Sequence, residues 1–123
     1  MDQVRVMNTA TDKVPNTSAT AASSGSDLNG QAVAIACRTL LDRLRPVAAD
    51  LLTCDAHEVL FVNGVVYHPS LPQKSLPFSE VTQAAYMSQI SLSATGYYRT
   101  PGIHYDRERG QGHPFHYLSL IHI

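Results

Sequence analysis

Two cysteines in 123 residues are too few to staple or metallate this chain. Cys37 and Cys54 make no CxxC pair, so neither a thiolate zinc site nor a disulfide framework is expected, and both thiols are expected to be reduced. Charge is equally sparse. Nine Lys and Arg against ten Asp and Glu leave a net charge of −1, which provides no basic surface for nucleic acid or an anionic membrane. The chain lacks any run of about 18 apolar residues that could cross a bilayer. Its opening Met1-Asp2-Gln3-Val4-Arg5 has no apolar signal-peptide core. The expectation is a soluble, cytoplasmic chain with no nucleic-acid or membrane partner. At 123 residues it holds one modest domain at most, too little for an enzyme with several cofactors.

Catalytic motifs are also scarce. His57, His68, His104, His113, His116 and His122 fall into no HExxH or Cys/His ligand pattern. The pair His113-x-x-His116 lacks a third ligand at useful spacing, so no protein-ligated metal is expected. Ser23 and Ser24 sit in neither a G-x-S-x-G elbow nor an S-x-x-K motif, which argues against a serine nucleophile. Tyr97, Tyr98, Arg99 and Tyr105 have faces that could stack on a purine, but packing is the stronger reading of that block.

Periodic patterning is what the chain does carry. Gln3 to Asn8 alternates in a way that suits a short strand. From Ala21 to Leu52, Leu28, Ala32, Val33, Ala36, Cys37, Leu40, Leu41 and Leu44 follow the i, i+3, i+4, i+7 template of a helix with one buried face. Arg43 and Arg45 complement its C-terminal end, and Pro46 is expected to end or kink it. Between Glu58 and His68, β-branched and aromatic residues flank Asn63-Gly64, the dipeptide of a type I′ hairpin turn. Pro69, Pro72 and Pro77 break the next segment. Val81, Ala84, Ala85 and Met87 then predict a second, short helix from Phe78 to Gln89. The stretch up to Gly112 is polar and glycine-rich and is expected to be an exposed loop. The fold class is therefore α+β: a strand, a long helix, a hairpin and a short helix. The first strand has no partner nearby, so part of the covering sheet is expected to lie outside the chain.

Between the first strand and the long helix runs Val14-Pro15-Asn16-Thr17-Ser18-Ala19-Thr20-Ala21-Ala22-Ser23-Ser24-Gly25-Ser26-Asp27. Six of the seven residues from Thr20 to Ser26 are Ala, Ser or Gly. Composition leaves two readings open: a hydroxyl-rich cap for the helix, or a surface nearly free of side chains where helix N–H groups face an anion.

The whole segment from Thr11 to Val33, with Gly96-Tyr97-Tyr98-Arg99-Thr100-Pro101-Gly102 and His113-Pro114-Phe115-His116-Tyr117 downstream, resembles the molybdenum-binding large subunit of the xanthine dehydrogenase and aldehyde oxidase family. The resemblance spans most of Gln3 to Tyr117 and is loose from His57 to Lys74. It implies that residues 1–117 are part of a molybdopterin-binding domain. It also implies a parent hydroxylase that inserts water-derived oxygen into hypoxanthine or xanthine and passes electrons to Fe-S clusters, FAD and NAD. An Fe-S/FAD subunit is then the implied partner, a purine the implied substrate, and an oligomer the implied state of the parent. An aldehyde or N-heterocycle oxidase of the same superfamily and a stand-alone, non-catalytic α+β binding module are the alternatives.

In that family molybdenum is held through the pterin, with no side-chain ligand. By resemblance, Ala22 lies beside the metal, Ala21 and Ala22 line the substrate pocket, and Ala21, Ala22, Ser23, Ser24 and Gly25 contact the cofactor. The family's catalytic glutamate, its substrate-orienting arginine and its other pterin loops have no counterparts here. Glu58, Glu80 and Glu108 match none of them, so no catalytic residue is assigned. Leu118-Ser119-Leu120-Ile121-His122-Ile123 departs from the family pattern and resembles a translated sequencing-library transposon end, so residues 118–123 are expected to be non-native.

Overall fold

In the computed structural model, residues 4–8, 10–12, 23–71 and 73–113 are described. Helix α1 spans Ser24–Leu52. A single 3-10 turn at Ala56–Glu58 leads into strands β1 (Leu60–Val62) and β2 (Val65–Tyr67). Strand β3 (Ser75–Pro77) runs directly into helix α2 (Phe78–Met87). Strands β4 (His104–Asp106) and β5 (Gln111–His113) form a separate hairpin.

Burial is concentrated around the C-terminal third of α1. Leu44, Val47, Ala48, Ala49 and Leu52 pack with Val59, Val66, Val81 and Ala85 to form the core. This burial explains why Pro46, expected to end or kink the helix, does not end it: α1 continues through it to Leu52. An interior proline costs about 3 kcal/mol, whereas burying each large aliphatic side chain contributes about 1.5–3 kcal/mol. Val47 and Leu52, on the turns just beyond Pro46, offset it.

Both helices end alike. Thr53 adopts the left-handed conformation at φ 59°, while the N–H of Cys54 donates to the Ala49 carbonyl at 3.0 Å and that of Thr53 to Asp50 at 3.3 Å. At the end of α2, Gln89 has φ 58°, Ile90 N–H donates to Ala85 at 2.9 Å and Gln89 N–H to Tyr86 at 3.0 Å. These are Schellman closures. In each, the following residue, Cys54 or Ile90, packs against the core.

The β1–β2 turn is of the expected type I′, with Asn63 at φ 49° and Gly64 at φ 79°. The register pairs Leu60 with Tyr67 and Val62 with Val65. β3 adds an antiparallel edge, pairing Val66 with Leu76 and Val65 with Pro77. Edge position tolerates the missing proline N–H. Gly64 also accepts a hydrogen bond from Phe78 N–H at 2.8 Å, so the hairpin turn holds the start of α2.

Three expectations are corrected. Residues 4–8 form no strand and are exposed, Val6 at 88%; without a neighbour to complete its ladder, alternation alone does not make a strand. The apolar stripe on the first half of α1 is only partly buried: Leu28, Ala32 and Ala36 are half-buried, whereas Val33 is 63% exposed and Cys37 is exposed. The polar stretch before Gly112 folds as β4–β5, pairing His104 with His113 and Tyr105 with Gly112. There Asp106 Oδ1 accepts from the N–H groups of Glu108 and Arg109 and closes the turn.

Candidate functional site

Ser23, at φ −97° and ψ 18°, immediately precedes α1, which Ser24 opens and Gly25 continues. All three residues are half-buried. Ala21 and Ala22, the other residues expected at the cofactor, lie outside the described residues, as does the 118–123 tail. With a hydroxymethyl at Ser23 and Ser24 and a hydrogen at Gly25, the first turn combines helix N–H groups with hydroxyls and almost no bulk. Donors of this kind suit an oxo- or phosphate-bearing group, not a directly coordinated metal ion, and in this respect the residues fit a pterin-borne centre.

The same turn carries an acid. Asp27 lies in the first turn of α1, where a carboxylate is favoured by the helix dipole. Its Oδ2 accepts a hydrogen bond from Thr100 Oγ1 at 2.8 Å, a contact across 73 residues of sequence. Thr100 is only 6% exposed.

A strap formed by residues 91–100 brings Thr100 there. It has no helix or ladder of its own and runs antiparallel along α1. At one end Arg43 Nη1 donates to the carbonyls of Ser91, at 3.1 Å, and Ser93, at 2.8 Å. In the middle Gly96 lies so close that a Cβ there would come within 1.8 Å of the Ala32 carbonyl oxygen. At the far end Thr100 meets Asp27. The lengths agree: α1 rises about 24 Å from Asp27 to Arg43, and an extended chain from Ser93 to Thr100 covers about 23 Å.

Of the aromatic block, Tyr97, Tyr98 and Arg99 lie on this strap and Tyr105 on β4. Tyr97 is 75% exposed, Tyr105 and Arg99 are exposed, and Tyr98 is half-buried. Sequence reasoning used the block for its resemblance and passed over Thr100 and Asp27. Each carries only a local mark, Thr100 as a residue held extended before proline and Asp27 as an acid at a helix start, and neither mark links the two.

The remaining ionisable groups lie elsewhere. His68 is buried; its Nδ1 accepts from Ser70 N–H at 3.1 Å, so the ring proton sits on Nε2 and is directed at Glu58 Oε2, 3.0 Å away. This pair ties the 3-10 turn to the end of β2. His104 and His113 face one another across β4–β5 with ring centroids 5.7 Å apart, and His116 and His122 lie outside the described residues. Among the described residues no three His, Cys, Asp or Glu side chains are grouped to hold a metal ion. Desolvation pushes the Cys54 thiol above its ordinary value near 9.0, and the negative charge of Asp55 adds to this.

Compared with known proteins, the chain matches the molybdopterin cofactor-binding domain over residues 1–122. It is 40% identical over 117 residues to the xanthine dehydrogenase/oxidase of Felis catus, covering 95% of this chain and 7% of that protein. The xanthine dehydrogenase of Calliphora vicina is 46% identical over 103 residues, 84% of this chain and 6% of its own length. Aldehyde oxidase 1 of Oryctolagus cuniculus is 40% identical over 118 residues, 96% of this chain and 7% of its own. The chain thus spans about 7% of the length of the curated relatives it matches.

Proposed function

This chain belongs to the molybdopterin cofactor-binding domain family of the xanthine dehydrogenases and aldehyde oxidases, and from that premise we propose that it supplies one wall of the molybdenum cofactor site in a parent hydroxylase. Residues 1–117 are read as part of that domain, and Ala21, Ala22, Ser23, Ser24 and Gly25 as the cofactor wall. When bound, the molybdenum–molybdopterin group supplies the redox centre at which water-derived oxygen enters an electron-poor carbon. The residues of this chain bind and leave room. Helix N–H groups and the hydroxyls of Ser23 and Ser24 donate to the anionic cofactor, while the methyls of Ala21 and Ala22 keep space for substrate beside the metal. No proton transfer is assigned to any side chain here.

The observation that carries this reading is the half-buried Ser23-Ser24-Gly25 turn at the start of α1, within a chain of this family. For the parent we propose oxidation of hypoxanthine and xanthine to urate, with electrons passing to Fe-S clusters, FAD and then NAD on an adjoining subunit of an oligomer. A second reading, oxidation of an aldehyde or N-heterocycle, draws on the rabbit aldehyde oxidase, which is as similar to this chain as the cat xanthine dehydrogenase, at 40% each. We place the parent in the cytoplasm. Among the described residues no helix is long and apolar enough to cross a membrane.

The test is Ala22→Phe in the complete subunit. A ring in place of a methyl fills the space reserved for substrate, so xanthine hydroxylation is expected to be abolished while the far-ultraviolet circular dichroism stays that of the wild type. Normal turnover by this variant would overturn the assignment.

A further inference from the structure

We propose that Thr100 is a positioning residue for the cofactor-binding turn, acting through its hydrogen bond to Asp27; this rests on the reading of Ser23, Ser24 and Gly25 as cofactor contacts. The argument begins with charge. Asp27 sits in the first turn of α1, within a turn of the N–H groups that face the cofactor. A carboxylate there is drawn to the same N–H groups as an anionic ligand and repels that ligand. The hydroxyl of Thr100, donating at 2.8 Å, occupies a lone pair of Asp27, takes up part of its charge and fixes its rotamer. Asp27 is thereby kept as a structural acceptor and prevented from acting as a competitor.

The strap makes this contact specific. Gly96 against Ala32 sets its register along α1, so Thr100 reaches Asp27 in one alignment, while Arg43 on the carbonyls of Ser91 and Ser93 only ties down the far end of the strap. Pro101 holds Thr100 extended. The β-branched side chain has few χ1 options, and its burial leaves the hydroxyl little choice of partner.

The experiment compares Thr100→Val, Thr100→Ser, Arg43→Met and Gly25→Leu in the complete molybdenum-binding subunit. It reads the molybdenum-to-protein ratio by mass spectrometry, the urea concentration that releases half the metal, and the thermal midpoint. Thr100→Val, which keeps the shape and removes the donor, is expected to lower molybdenum content roughly threefold or more, as for a carboxylate deprived of a buried donor, and to release the metal at lower urea. Thr100→Ser should restore both. Arg43→Met loosens the strap at its other end; it should lower the thermal midpoint and keep the molybdenum content. Equal loss of metal in Arg43→Met and Thr100→Val would reduce Thr100 to a general stability role and overturn the proposal. Wild-type metal content in Thr100→Val with loss in Gly25→Leu would sink the positioning role alone. Wild-type content in both would sink the cofactor-wall reading with it.

Discussion

At Gly96 the absence of a side chain has a measurable meaning. A Cβ at this position would lie 1.8 Å from the Ala32 oxygen and 2.9 Å from the Ala36 nitrogen, both of them helix backbone that cannot turn aside. Gly96→Ala must therefore lift the strap off α1. The expected cost is about 1–3 kcal/mol, the usual range for overpacking, read as a lower urea midpoint. A substitution that leaves the midpoint unchanged would mean that the strap does not lie against α1 in solution. Arg45 shows a different economy: one guanidinium donates to the Val59 carbonyl at 2.8 Å and covers the Phe61 ring at 5.9 Å. Through it α1 grips the start of the three-stranded sheet by both a polar and an aromatic contact.

At the scale of elements, the hairpin gives the sharpest test. Asn63 and Gly64 both have positive φ, and a β-branched residue in that region costs about 1–2 kcal/mol. Gly64→Val is therefore expected to destabilise the chain by about that much and to loosen α2 through the Phe78 contact, measured by chemical denaturation. A neutral result would exclude the type I′ turn. This turn was legible because Asn-Gly names its own backbone angles. The same holds for the presence and type of both helices, whose periodicity is local. The end of α1 at Leu52 was legible too; that of α2 falls at Met87, just short of Gln89, which takes a left-handed position where the sequence signal would have been glycine. Pro46 does not end α1, because its local cost is real but the burial of Val47 and Leu52 outweighs it. β3 and β4–β5 escaped notice because Pro77, Asp106 and Gly112 are poor strand formers that pairing and an Asx turn accommodate. In the candidate site, Ser23 to Gly25 were singled out through resemblance. The Asp27–Thr100 contact was not found, since nothing local links residues so far apart.

For the whole molecule, burial is uneven. The core gathers on the last third of α1, whereas its first half has no buried residue among those described. Leu60, Val62 and Val65 on one face of the sheet, with Val33 on α1, are apolar and exposed. Stability follows burial. In native-state hydrogen exchange on the 123-residue chain, the amides of residues 47–52, 66 and 81–85 are expected to be the slowest. Those of residues 28–36 should exchange much faster despite belonging to the same helix. Uniform protection along α1 would instead support the stand-alone binding module.

The strap also sets an order of assembly. The Asn63-Gly64 hairpin closes over a few residues, while Thr100 finds Asp27 only after a loop of 73 residues has closed, and closing that loop costs entropy that grows with its length. Local helices and turns therefore form first, and the strap docks onto an α1 already in place. The Asp27–Thr100 contact beside the turn that would receive the cofactor is thus expected among the last native contacts to form, after α1 itself.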